Sequence, residues 1–234
     1  MFIETARAIL ISIGIFYSLY LFAYATFLLV SVTIGASELY KSKQLNTLHN
    51  VISHDYYFPV SIVVPGYNEE VTICDTVHSL LNLDYRLYEI IVVDDGSKDN
   101  TSKLLIEEFK MTKVRRKIKK SIRCQDEEFI YESYAHKVPI VLIRKKNGGK
   151  ADALNMGINA SRYPYFVCMD ADSMLQSDAL ERIVRPVLTD ENLIACGGVI
   201  RIANGVVLEN GKVKKYEMPD NMVAAMQVLE YERS

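Results

Sequence analysis

Apolar positions fall along this chain in two regimes. From Ala8 to Ser37 no charged residue occurs, and Ile, Leu, Phe, Tyr and Val dominate. That stretch exceeds the roughly 20 residues a helix needs to cross a bilayer core. A cleaved signal peptide carries an apolar core of only about 7 to 15 residues. Gly35 and Ser37 offer a small-x-small site, but the length predicts an uncleaved anchor over residues 1–37, followed by a polar connector over 38–57.

From residue 58 onward, short apolar runs alternate with segments of helical periodicity. Runs at 59–64, 89–93, 139–143 and 165–169 predict strands. Helices are predicted over 69–81, from Asn100 or Thr101, over 151–160, and from a Ser177 cap toward Arg185 and Pro186. The alternation implies an α/β domain, a mostly parallel sheet with helices on both faces. Further on, 193–202 reads as another strand, and 206–216 as a hairpin turning at Asn210 and Gly211. A last helix over 221–234 carries Met222, Val223, Met226 and Leu229 as its packing stripe.

Composition narrows the picture. With 234 residues, 50% of them hydrophobic, and a net charge of −2, the chain holds one sizeable domain plus the apolar front. Cys74, Cys124, Cys168 and Cys196 lack paired spacing and read as reduced core residues, and the four histidines are scattered, so neither a disulfide framework nor a zinc site is indicated. Arg7 on one side of the anchor and Lys41 and Lys43 on the other place the domain in the cytosol. Eight basic residues crowd the fourteen from Lys110 to Arg123. In an anchored protein such a run suits anionic membrane lipid or is a solvated insertion, here over 110–137. Without a supporting fold motif or a basic overall charge, no nucleic acid partner is expected.

The chemistry gathers at strand ends. YFVCMDADS runs a strand into Asp170 and Asp172, and EIIVVDDGS runs another into Asp94 and Asp95. Ligands of open α/β sheets bind at this carboxyl edge. Taken alone, an acidic pair of this kind more often caps a turn. As a site, however, it needs a cation. A diphosphate charge about 5 Å from a carboxylate costs about 3 kcal/mol at an effective dielectric of about 20. A hard divalent ion reverses that sign, and oxygen-only donors select Mg2+ or Mn2+.

Four segments in order carry a resemblance: VSIVVPGYNEE (60–70), IIVVDDGSKDNT (90–101), KNGGKADALNMGI (146–158) and FVCMDADS (166–173). Together they are similar to the family 2 glycosyltransferases of GT-A fold, in particular the membrane-bound synthases of cellulose, hyaluronan and poly-N-acetylglucosamine. The resemblance implies a GT-A domain over 58–234 that uses a UDP-sugar, UDP-N-acetylglucosamine first, to extend a β-linked polysaccharide acceptor with inversion. It implies that Pro65, Tyr67, Asn68 and Glu69 line the uridine pocket, and that Asp94 or Asp95 meets the uracil edge. Lys150 would lie near the diphosphate with Asn155 on the same helix, Asp170 would face the ribose or sugar, and Asp172 would hold the metal with Asp170. The family's general base, in a T-E-D-like motif, and its Q-x-x-R-W motif do not occur in the 234 residues. The chain is therefore read as the donor-binding half. The acceptor side would come from downstream sequence or from a partner chain; otherwise the chain is a truncated, non-catalytic anchored module that binds nucleotide-sugar or assembles with partner chains. A nucleotidyltransferase on a related sheet is disfavoured, because PGYNEE stands where its triphosphate loop belongs.

Overall fold

β-branched runs become strands here because their stiff side chains pack well on a pleated surface buried on both sides. The structure, a computed structural model, describes residues 2–52, 58–190, 192–199, 206–209, 212–216 and 221–233. It divides into two units, residues 1–56 and 57–234.

The first unit is one helix, α1 (Phe2–Ile52). Its segment Ile9–Ser37 is 29 residues long, apolar and unburied, which is long and apolar enough to cross a membrane. The backbone stays helical beyond Ser37 to Ile52, through most of the predicted connector.

The second unit begins with β1 (Val60–Gly66), α2 (Ile73–Leu81), β2 (Tyr88–Asp94) and α3 (Thr101–Glu108). Then come β3 (Thr112–Val114), β4 (Glu127–Ser133), β5 (Ile140–Lys145), α4 (Lys150–Ala160), β6 (Tyr165–Cys168) and α5 (Ala179–Thr189). The sheet order is β3-β4-β5-β2-β1-β6. β5, β2, β1 and β6 run parallel, while β3 and β4 add an antiparallel edge. Alternate residues face opposite sides. Ile62, Val64, Ile90, Val92, Ile140 and Leu142 pack with α2, α3 and α5. Ile91, Val93, Val141 and Ile143 pack with Ala153, Met156 and Ala160 of α4. Burying each such side chain contributes about 1.5–3 kcal/mol. Helices on both faces of a mostly parallel sheet are the expected GT-A arrangement.

α4 lies unusually close to the sheet, because a Cβ on Gly157 would come within 2.2 Å of Val63 Cγ1. Gly157→Ala is therefore expected to cost about 1–3 kcal/mol through overpacking. A urea midpoint equal to wild type would show that the contact yields without strain.

Several expectations change. The basic segment is irregular and mostly exposed over 115–126, but β3 and β4 border it, and Val114, Ile118 and Cys124 pack against the α4 side of the core. α2 opens at Ile73, after a turn built on Glu69. Asp178, not Ser177, occupies the α5 cap position, and the helix continues past Pro186 to Thr189. Ser177 is buried, and its carbonyl accepts from Asp84 N–H at 2.7 Å. Residues 193–199 have no regular structure, and 200–202 lie outside the described residues. Among the described residues β6 is therefore the sheet's edge, and Cys168 is exposed, as is Cys196; all four cysteines are free.

The hairpin forms as β7 (Val206–Glu209) and β8 (Lys212–Tyr216), while its turn residues lie outside the described residues. In α6 (Met222–Arg233), Met222, Val223 and Met226 are exposed, and the smaller Ala224 and Val228 are buried. The side chain of Leu229, the fourth residue of the expected stripe, lies outside the described residues.

Candidate donor-binding site

The carboxyl edge of the parallel strands is assembled from all four motif segments. Leaving β1, the chain turns at Asn68, whose φ of 57° is a left-handed conformation that Asn tolerates. That turn is joined to the loop after β2. Asn68 N–H donates to Ser97 Oγ at 2.9 Å, and Lys98 N–H donates to Asn68 Oδ1 at 2.8 Å. Glu69 N–H donates to Thr101 Oγ1 at 2.9 Å, and Asn100 N–H to Glu70 Oε2 at 3.0 Å. The Glu69 carboxylate accepts the Thr72 hydroxyl, so that acid braces its own turn. Pro65 is buried inside β1 opposite Val93, and Tyr67 stands 42% exposed at the rim.

The two acids at the end of β2 are both buried and have separate tasks. Asp94 is fully buried and accepts from Ser97 N–H at 2.8 Å and from the Ser102 hydroxyl. Asp95 receives the Lys145 ammonium together with Gly148 N–H at 3.0 Å and Gly149 N–H at 2.7 Å. Gly149 precedes α4 with a φ of 90°, a conformation strained for any residue with a Cβ.

Lys145 is 0% exposed and also reaches Asp152 at 2.7 Å. This Lys145–Asp95–Asp152 group, which fastens the β2 loop to the start of α4, did not emerge from sequence reasoning. The alternation of β5 contained the signal: Lys145 shares parity with Val141 and Ile143, the residues that face α4. Burial works to raise the Asp152 pKa. The Lys145 hydrogen bond, the Gln125 N–H and the Lys145 and Lys120 charges outweigh it and hold the carboxyl below its usual range. A carboxyl depressed by folding adds stability above its unfolded value of about 3.9 and loses it as pH falls through the folded value. Asp152→Asn should therefore lower Tm at neutral pH and flatten the fall in Tm below about pH 4. An unchanged acid limb would remove Asp152 from that role.

Lys150 is the first residue of α4, where a cation opposes the helix dipole. It is offset by Asp170, whose carboxylate lies 2.6 Å from the ammonium, with the two side chains 64% and 53% exposed. The Asp-Ala-Asp turn is set from below. Ala171 is buried, and its carbonyl accepts the Thr76 hydroxyl of α2 at 2.6 Å, so Asp170 and Asp172 on either side both face solvent. Asp172 has no side-chain partner among the described residues. Asn155 stands apart from this group, its amide donating to Arg123 O at 3.1 Å.

Among the described residues no cluster of three or more His, Cys, Asp or Glu could enclose a metal. Two exposed carboxylates of pure oxygen character instead fit an ion that keeps several waters and draws its other ligands from phosphate, as Mg2+ and Mn2+ do. They do not fit a structural zinc.

Poly-beta-1,6-N-acetyl-D-glucosamine synthases of Staphylococcus aureus (strain COL) and Staphylococcus epidermidis are each 31% identical to this chain over 188 residues, 79% of it. The chain spans 40% of the length of these relatives. Among solved structures, a Pyrobaculum calidifontis mannosyltransferase in complex with GDP-Man and Mn2+ is similar at 24% identity and a TM-score of 0.44, over 56% of this chain and 32% of that one. Residues 1–349 of S. aureus TarS, in complex with UDP-GlcNAc, match at 20% identity and a TM-score of 0.40, over 55% and 32%. The model of glycosyl transferase family 2 matches residues 61–123 and 126–228, which include every segment that builds the edge described above. The chain thus belongs to glycosyl transferase family 2.

Proposed function

We propose that this domain binds a UDP-sugar, UDP-N-acetylglucosamine first, and serves metal-dependent, inverting transfer to a growing β-linked polysaccharide. The observation that carries the reading is Lys150 Nζ lying 2.6 Å from Asp170, beside an exposed Asp172, at the carboxyl edge of the sheet. The relatives named as poly-beta-1,6-N-acetyl-D-glucosamine synthases support the product class and its N-acetylglucosamine unit.

In this reading Pro65, Tyr67, Asn68 and Glu69 shape the nucleoside pocket, and Asp94 and Asp95 hold its floor. Asp95, fixed by Lys145, presents the loop whose next residues start α4. Lys150 exchanges its exposed carboxylate partner for the diphosphate and stabilises the departing charge. Asp170, released from the ammonium, turns to the sugar side, while Asp172 with Asp170 would hold Mg2+ or Mn2+. When bound, that ion supplies charge neutralisation of the leaving group. The acceptor's base is assigned to no residue of this chain.

The test is competition against bound UDP. UDP-N-acetylglucosamine and UDP-glucose should both displace it, and GDP-mannose at least about tenfold less well, a difference of about 1.4 kcal/mol. Equal displacement by GDP-mannose would end the uridine assignment.

A further inference from the structure

The basic segment between β3 and β4 takes no part in the donor site, yet its backbone is pinned. It runs antiparallel along α4. Arg116 donates to Ala160 O at 2.5 Å, Ser121 and Ile122 N–H to Asn159 Oδ1 at 2.9 Å, and Gln125 N–H to Asp152 at 3.0 Å. Val114, Ile118 and Cys124 turn inward against the α4 side of the core. Burial alternates from 114 to 119, so Arg115, Lys117 and Lys119, at alternate positions, project outward in one row.

Their neighbours are neutralised, Arg116 by Glu132 and Lys120 by Asp126 and Glu127. Arg115, Lys117, Lys119 and the exposed Arg123 have no carboxylate partner among the described residues. The pinned backbone keeps these charges close together, so external anions would ease their mutual repulsion.

We propose that this row docks on the anionic phospholipid headgroups of a bilayer. The same chain carries a helix long and apolar enough to cross one. A linear row on an open segment matches a field of many anions better than one phosphate, which needs converging donors. Basic side chains near an anionic leaflet are each held by a factor of about five. Single-stranded nucleic acid is the poorer match, because residues 110–123 contain no aromatic side chain on which a base could stack.

The experiment uses the full chain in nanodiscs of phosphatidylcholine alone or with about 30% phosphatidylglycerol, at single-hit lysine acetylation read by mass spectrometry. Exposed Lys103, on α3 across the sheet, is the internal reference. Lys117 and Lys119 should react about fivefold more slowly in the anionic discs, with Lys103 unchanged and the protection lost in about 0.5 M salt. Arg115→Glu with Lys117→Glu should restore the rate at Lys119. Equal rates in both discs, equal protection in both, or slowing that includes Lys103 would each overturn the proposal.

Discussion

Asp172→Ala is expected to abolish metal-dependent UDP binding and leave the fold untouched. The side chain is exposed and has no partner among the described residues, so truncation removes no internal contact. What it removes, under the proposed function, is the carboxylate assigned to bring a divalent cation against a diphosphate. The neighbouring carboxylate, Asp170, is already engaged by the Lys150 ammonium. That pair is solvent-exposed and worth at most about 1 kcal/mol, cheap enough for an arriving diphosphate to displace. Calorimetry with UDP, with and without Mn2+, should show at least about a hundredfold loss in the Mn2+ arm, or about 2.8 kcal/mol, and an unchanged melting curve. If the variant binds UDP with wild-type metal dependence, the cation is held elsewhere and the assignment of Asp172 fails.

The second large effect concerns stability. Lys145 is 0% exposed and faces the carboxylates of Asp95 and Asp152, which are 5% and 21% exposed. Lys145→Met keeps most of the volume but leaves two carboxylates facing one another without their cation. Breaking a buried pair from one side costs about 3–5 kcal/mol. In a unit of this size that is a fall in Tm of roughly 10 °C. Adding Asp95→Asn should recover part of the loss, since partners within one network couple by about 0.5–3 kcal/mol. A single variant within about 0.5 kcal/mol of wild type would show that the network is relaxed by solvent. The two ion pairs therefore divide the work: one is costly to break and sets the loop, while the other is weak and able to exchange.

The strands and the strand-end acids were legible because both obey short-range rules. Ile62–Val64 and Ile90–Val93 are β-branched runs, and Asp94 and Asp95 follow the second directly. Lys145 was not legible from residue type, since a lysine ending a strand usually faces water, and only its distant partners Asp95 and Asp152 make burial tolerable. Cys168 sits in a correctly expected strand but lies exposed, because exposure depends on what borders β6. In α6, Ala224 and Val228 are the buried residues among the described side chains, and neither belonged to the expected stripe. A stripe records hydrophobicity alone, whereas contact depends on how closely two backbones approach. The basic segment was read from charge, which conceals the strands at its two ends and the inward apolar residues Val114 and Ile118.

The close seat of Gly157 on Val63 also makes α4 a lever, with its fulcrum there and its load at Lys150. The arm is seven residues, about 10 Å at 1.5 Å per residue. A tilt of about 5° around that point swings the ammonium by about 1 Å, enough to lose a hydrogen bond. Under the proposed function, changes in bulk at position 157 would thus retune donor affinity through the placement of Lys150, without altering any group assigned to the ligand.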